Sequence, residues 1–118
     1  MLLAANIVIG LIALLHVYIL VLEMFLWETP RALKVFKQTK ESAAITKVLA
    51  ANQGLYNGFL AAGLFWGLYL GQAGNPIKVF FLLCVLVAGL YGAATANKRI
   101  LFIQVLPALI GLALLYLA

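Results

Sequence analysis

MLLAANIVIGLIALLHVYILVL, residues Met1–Leu22, contains His16 and no charged residue, and its apolar character continues to Trp27. A helix needs ~20 mostly apolar residues to cross the hydrocarbon core of a bilayer. The run is therefore expected to be a membrane-spanning helix over residues 2–27. A cleaved secretory leader is the competing reading, and three features oppose it. The start has no basic residue, the apolar run exceeds the ~7–15 residues of a leader, and no small-residue cleavage site precedes Thr29 and Pro30.

The rest of the chain has the same character. Of its 118 residues, 67% are hydrophobic and 9% charged. A soluble domain this short has too little interior to hide so much apolar side chain, so lipid is the expected solvent. Three further apolar stretches follow, at residues 43–70, 77–96 and 100–117, and they leave no room for a second domain. Backbone groups in lipid must pair within their own segment, which makes these stretches helices. The expected fold is all-α: a single four-span membrane bundle over residues 1–118.

The connections carry recognisable punctuation. Thr29 and Pro30 read as an N-cap and a first helical residue. Arg31 to Lys40 mixes apolar and basic residues, which suits a short helix lying among headgroups or a plain basic loop. Gly71 to Pro76 is a turn. Pro107 deprives the carbonyl of Ile103 of its helical donor, so a kink is expected there. The single cysteine, Cys84, precludes an internal disulfide and reads as a packing residue. No Cys or His spacing suits zinc, and no metal or cofactor is expected.

Basic residues set orientation. Arg31, Lys34, Lys37, Lys40 and Lys47 lie near the first connection, and Lys98 and Arg99 in the third. These connections share one side and hold seven of the eight basic residues, leaving Lys78 on the other. Loops 28–42 and 97–99 are thus expected in the cytoplasm and both termini outside. Anionic lipid accounts for the net charge of +5, with no need of nucleic acid.

Small residues suggest where helices approach closely. Ala50, Gly54, Gly58 and Ala62 recur at four-residue spacing, with Gly63, Gly67 and Gly71 beside them, and Ala88, Gly92 and Ala96 form a similar row with Gly89 and Ala93. The second and third spans should form the tight centre, with one stripe available for a homo-oligomer.

Polar groups inside a bilayer are the best pointers to function, since a carboxylate at its centre costs about 2.5–3.5 kcal/mol. His16, Glu23 and Trp27 share a helical face, because seven residues come within about 20° of two full turns. Asn52, Gln53, Tyr56 and Asn57 cover one arc of the second span. Cys84, Ala88, Tyr91, Thr95 and Lys98 form a stripe on the third, and Gln104 stands one turn into the fourth. By depth, Glu23, Asn52, Gln53, Tyr56, Asn57, Tyr91, Thr95 and Gln104 fall in the cytoplasmic half. The expectation is a polar cavity open to the cytoplasm, with His16 at its floor and Glu23 as its charged group. The plainer alternative is that Glu23 reaches the headgroups or pairs with Lys98, while the amides join helices.

The segments His16-Val-Tyr-Ile-Leu-Val-Leu-Glu23-Met-Phe-Leu-Trp27-Glu-Thr-Pro30-Arg31, Lys34-Val-Phe36 and Thr46 to Gly63, with its Asn52-Gln53-Gly54-Leu55-Tyr56-Asn57-Gly58 run, carry a family likeness. Over essentially its whole length the chain resembles the bacterial membrane family called domain of unknown function 1304. The resemblance implies a four-helix bacterial membrane protein, hence the inner membrane, and brings no activity with it.

Three functions fit these residues. One is binding or passage of a small molecule or lipid, with Glu23 as charge or proton partner. Another is an intramembrane enzyme using Glu23 or His16 as acid or base. It lacks a partner nucleophile, since no Ser lies in a span, and the residues favour a non-enzymatic role. The third is a scaffold subunit of a larger membrane complex.

Overall fold

The computed structural model describes residues 1–118. The chain is all-helical, without strands: α1 (Leu2–Met24), α2 (Pro30–Val35), α3 (Lys40–Tyr69), α4 (Asn75–Thr95) and α5 (Leu106–Leu117). A 3-10 turn at Gly71–Gly74 precedes α4, and a π-helical segment at Leu101–Val105 leads into α5. Two helical stretches, Leu2–Met24 and Gly71–Thr95, are long and apolar enough to cross a membrane by length and composition. Their most apolar windows are only 28% and 22% buried, unlike the core helices of a soluble protein. Leu101–Leu117 is apolar but shorter. α3 is long enough, but Asn52, Gln53 and Asn57 dilute its apolar character.

The chain forms two compact units, one of residues 1–14 with 60–118 and one of residues 15–59. In the first unit, Ile9, Ile12 and Ala13 of α1, Leu64 of α3, Leu82 and Val85 of α4 and Ala108 of α5 share one apolar core. Glycines bring the backbones together. A Cβ at Gly74 would strike the carbonyl oxygen of Gly67, and one at Gly63 would strike the ring of Phe81. Gly71 turns the chain with φ of +63°, a conformation that disfavours a Cβ. Ahead of Pro107 the helix widens to π geometry over Leu101–Val105, where the amide of Leu106 donates to the carbonyl of Leu101, five residues back. The expected disturbance at Pro107 therefore takes the form of a π turn over the residues preceding it.

The second unit is a hairpin of the later part of α1, the short α2 and the first part of α3. The first helix stops at Met24, short of Trp27, the end the sequence suggested. The amides of Phe25 and Leu26 both bond the carbonyl of Val21, at 3.0 and 3.1 Å, which closes the helix. Trp27 then turns into a small core with Ala43, Ala50, Leu33 and Phe36. Its indole Nε1 donates to the carbonyl of Ala43 at 3.1 Å and to Thr46 Oγ1 at 3.3 Å. Its ring lies 5.0 Å from that of Phe36.

Local chemistry fixes α2. Thr29 accepts from the amide of Ala32 at 3.4 Å, and Pro30 opens the helix. The amide of Gln38 bonds the carbonyl of Leu33 at 2.9 Å while Lys37 takes φ of 54°, a Schellman ending with lysine where glycine is usual. Thr39 and Ser42 then cap α3 reciprocally: each hydroxyl accepts the other's amide, at 3.0 and 3.1 Å. α3 accordingly starts at Lys40, slightly earlier than the hydropathy pattern indicates.

Candidate functional site

Glu23 lies in the last turn of α1, and the close passage of α3 positions it. A Cβ at Gly54 would come within 2.6 Å of Met24 Cγ, 3.1 Å of Glu23 Cβ and 3.3 Å of the Leu20 carbonyl oxygen, so any other residue would have to push the Met24 side chain aside. Gly58 similarly receives the side chain of Leu20. At this separation the short side chain of Asn57 reaches across, and its Nδ2 donates to Glu23 Oε1 at 2.7 Å. The same Nδ2 also donates to the carbonyl of Gln53 at 3.1 Å, which fixes the amide's orientation. Glu23 is half-buried and forms no ion pair; the one ion pair of the chain joins Lys47 to Glu28 at 3.1 Å.

The other residues expected around Glu23 divide between the two units. Within the second, His16 is fully buried, and Trp27 holds the hairpin core. Asn52 turns its Nδ2 back to the carbonyl of Val48 at 2.9 Å. Gln53 is exposed, and so is Tyr56, whose ring packs edge-on against Phe59 with centroids 6.0 Å apart. Of the α3 arc, Asn57 alone is hydrogen-bonded to Glu23. In the same unit a shallow groove of about 340 Å³ is lined by Met24, Lys47, Val48, Ala51, Asn52 and Leu55. Also in this unit, Arg31 Nε donates to Tyr18 Oη at 2.8 Å, which ties α2 to α1.

Within the first unit, Tyr91 is exposed and Thr95 Oγ1 donates to its carbonyl at 2.7 Å. Gln104 Nε2 donates to the carbonyl of Val85 at 2.9 Å, joining the π segment to α4. A second polar cluster lies here that the sequence reading passed over. Lys78 is fully buried; its Nζ donates to Asn6 Oδ1 at 2.9 Å and to Asn75 Oδ1 at 3.1 Å, and its stem lies against Gly67. The signal was present: Asn75 and Lys78 are three residues apart on one helical face. No cluster of three His, Cys, Asp or Glu side chains exists to hold a metal.

The family described as "Protein of unknown function (DUF1304)" matches residues 10–116. An uncharacterized protein of Lactococcus lactis subsp. lactis (strain IL1403), YpaA, is 34% identical over 96 residues, which cover 80% of this chain and 81% of that protein. No solved structure matches. The Glu23 and Asn57 that meet in the hairpin, and the glycines that let them meet, all fall inside the matched residues, and the chain belongs to the DUF1304 family.

Proposed function

We propose that this chain is a multi-pass protein of the bacterial inner membrane, with four spans and both termini outside, that binds or passes a small molecule or lipid at Glu23 in its cytoplasmic half. The apolar, largely unburied faces of Leu2–Met24 and Gly71–Thr95 support the membrane reading. So do the many large apolar side chains turned outward, such as Leu3, Leu11, Phe80, Val87 and Phe102. Lipid explains such a surface where water does not.

One observation carries the binding reading: Glu23 is a half-buried carboxylate held by an amide and by no cation. An ionised carboxylate offers about four lone-pair sites, and Asn57 occupies one of them. The remaining capacity suits a ligand with a positive charge or several N–H or O–H donors. The groove of the same unit, which begins at Met24 next to Glu23 in sequence, is walled by Met24, Val48, Ala51 and Leu55, which favours an amphiphile whose apolar part lies against α3. The exposed Gln53 and Tyr56 are then candidates to meet other parts of the ligand.

Binding of a lipophilic cation, tetraphenylphosphonium, to the detergent-purified protein tests this. Saturable binding that is lost in Glu23→Gln and weakened in Asn57→Ala is expected. Binding of equal strength in folded Glu23→Gln would remove Glu23 from the site.

A further inference from the structure

All three acidic side chains, Glu23, Glu28 and Glu41, belong to the second unit. The first unit holds Lys78, Lys98 and Arg99 and no acidic side chain. Lys98 and Arg99 stand in a connection, where a charge is easily solvated. Lys78 is fully buried, and its ammonium is met by two neutral amide oxygens. A buried charge is ordinarily paired with an opposite one. The position of Lys78 in the opening turns of α4 adds to the imbalance, since that end of a helix is itself positive. Two N–H groups of the ammonium have acceptors in the chain, and no acidic side chain pairs with its charge.

Asn75 connects this charge to the surface. It accepts from Lys78 through Oδ1, and it lines a groove of about 270 Å³ with Val79, Leu112, Leu115 and Tyr116. An amide polarised by an ammonium on its oxygen becomes a stronger donor through its nitrogen. The groove thus has a polar, positively biased end and an apolar wall formed by the start of α4 and the end of α5. We propose that it holds an anionic phospholipid, with the phosphate at Asn75, an acyl chain along Val79, Leu112 and Leu115, and Lys78 as the buried counter-charge. The apolar wall is the reason for choosing a lipid over a free phosphate ion.

Thermal unfolding of the full chain in a neutral detergent tests this, with phosphatidylglycerol, phosphatidylcholine or sodium phosphate added. Phosphatidylglycerol should raise the unfolding temperature by several degrees, and the other two should not. Lys78→Gln should need roughly tenfold more lipid for the same effect, as expected for one lost charge-assisted contact. Asn75→Asp guards against a Lys78 variant that does not fold, because it supplies the missing carboxylate. It should be more stable without lipid and lose the response to phosphatidylglycerol. Leu112→Trp, which fills the groove, should lose the response as well. Equal stabilisation by phosphatidylcholine or by phosphate alone would overturn the proposal, as would a full response in Asn75→Asp.

Discussion

The two units hold a buried or half-buried charge in the same way with opposite sign. In the hairpin of residues 15–59, the NH2 end of one asparagine faces a carboxylate: Asn57 donates to Glu23. In the unit built from residues 1–14 and 60–118, the oxygen ends of two asparagines face an ammonium: Asn6 and Asn75 accept from Lys78. A side-chain amide can do either because it carries both donors and acceptors. It can relieve the cost of removing a charge from water without cancelling the charge. Each unit therefore holds an ionisable side chain met by amides and by no ionic partner, acidic in one and basic in the other, and each unit carries a groove. The carboxylate suits a cationic or donor-rich guest and the ammonium an anionic one.

The units also differ in how their glycines are used, and substitutions there separate them. The largest effect is expected at Gly74, where a Cβ meets the backbone carbonyl of Gly67 and nothing can rotate away. Gly74→Ala should lose about 3 kcal/mol or fail to fold. Gly54→Ala in the hairpin meets first the flexible Met24 side chain, so a loss of about 1–2 kcal/mol is expected. Unfolding in mixed detergent measures both; a Gly54 variant as damaged as the Gly74 variant would erase the distinction. Trp27→Phe keeps the ring against Phe36 but removes the donor to Ala43 and Thr46, for a loss of about 1 kcal/mol. Proteolysis between Trp27 and Lys40 should quicken in that variant while the first unit stays resistant. The smallest effect should be a gain. Lys37→Gly relieves a left-handed conformation at the end of α2 and should stabilise the hairpin by up to about 1 kcal/mol. No gain in the unfolding midpoint would mean that the lysine side chain compensates for its backbone.

Much of this was legible in the sequence because it depends on periodicity and solvent. The helices could be placed within a few residues, since lipid or a core rewards uninterrupted apolar runs and caps mark their ends. Thr29 and Pro30 announced α2, and Pro107 announced a disturbance in the last helix. Glu23 and Asn57 could both be named as candidates, but not as a pair separate from Asn52 or Gln53. Their pairing depends on how closely α3 passes at Gly54, a tertiary fact. The departure of Trp27 from α1 was hidden for a similar reason: its partners, Ala43 and Thr46, lie across a connection whose path no local pattern fixes. Lys78 was read only for its contribution to charge bias. Its burial depends on Gly67 clearing space beside it, and on Asn6, which is distant in sequence.

The proposals for Glu23 and Lys78 both rest on the reading that the chain's helices cross a bilayer. Two single-cysteine variants, Lys34→Cys and Ala73→Cys, both in a Cys84→Ser background, test this in right-side-out membrane vesicles with an impermeant maleimide. Ala73→Cys should label at once and Lys34→Cys only after the vesicles are opened. Labelling of both without opening, or of neither, would contradict a chain that crosses the membrane between residues 34 and 73.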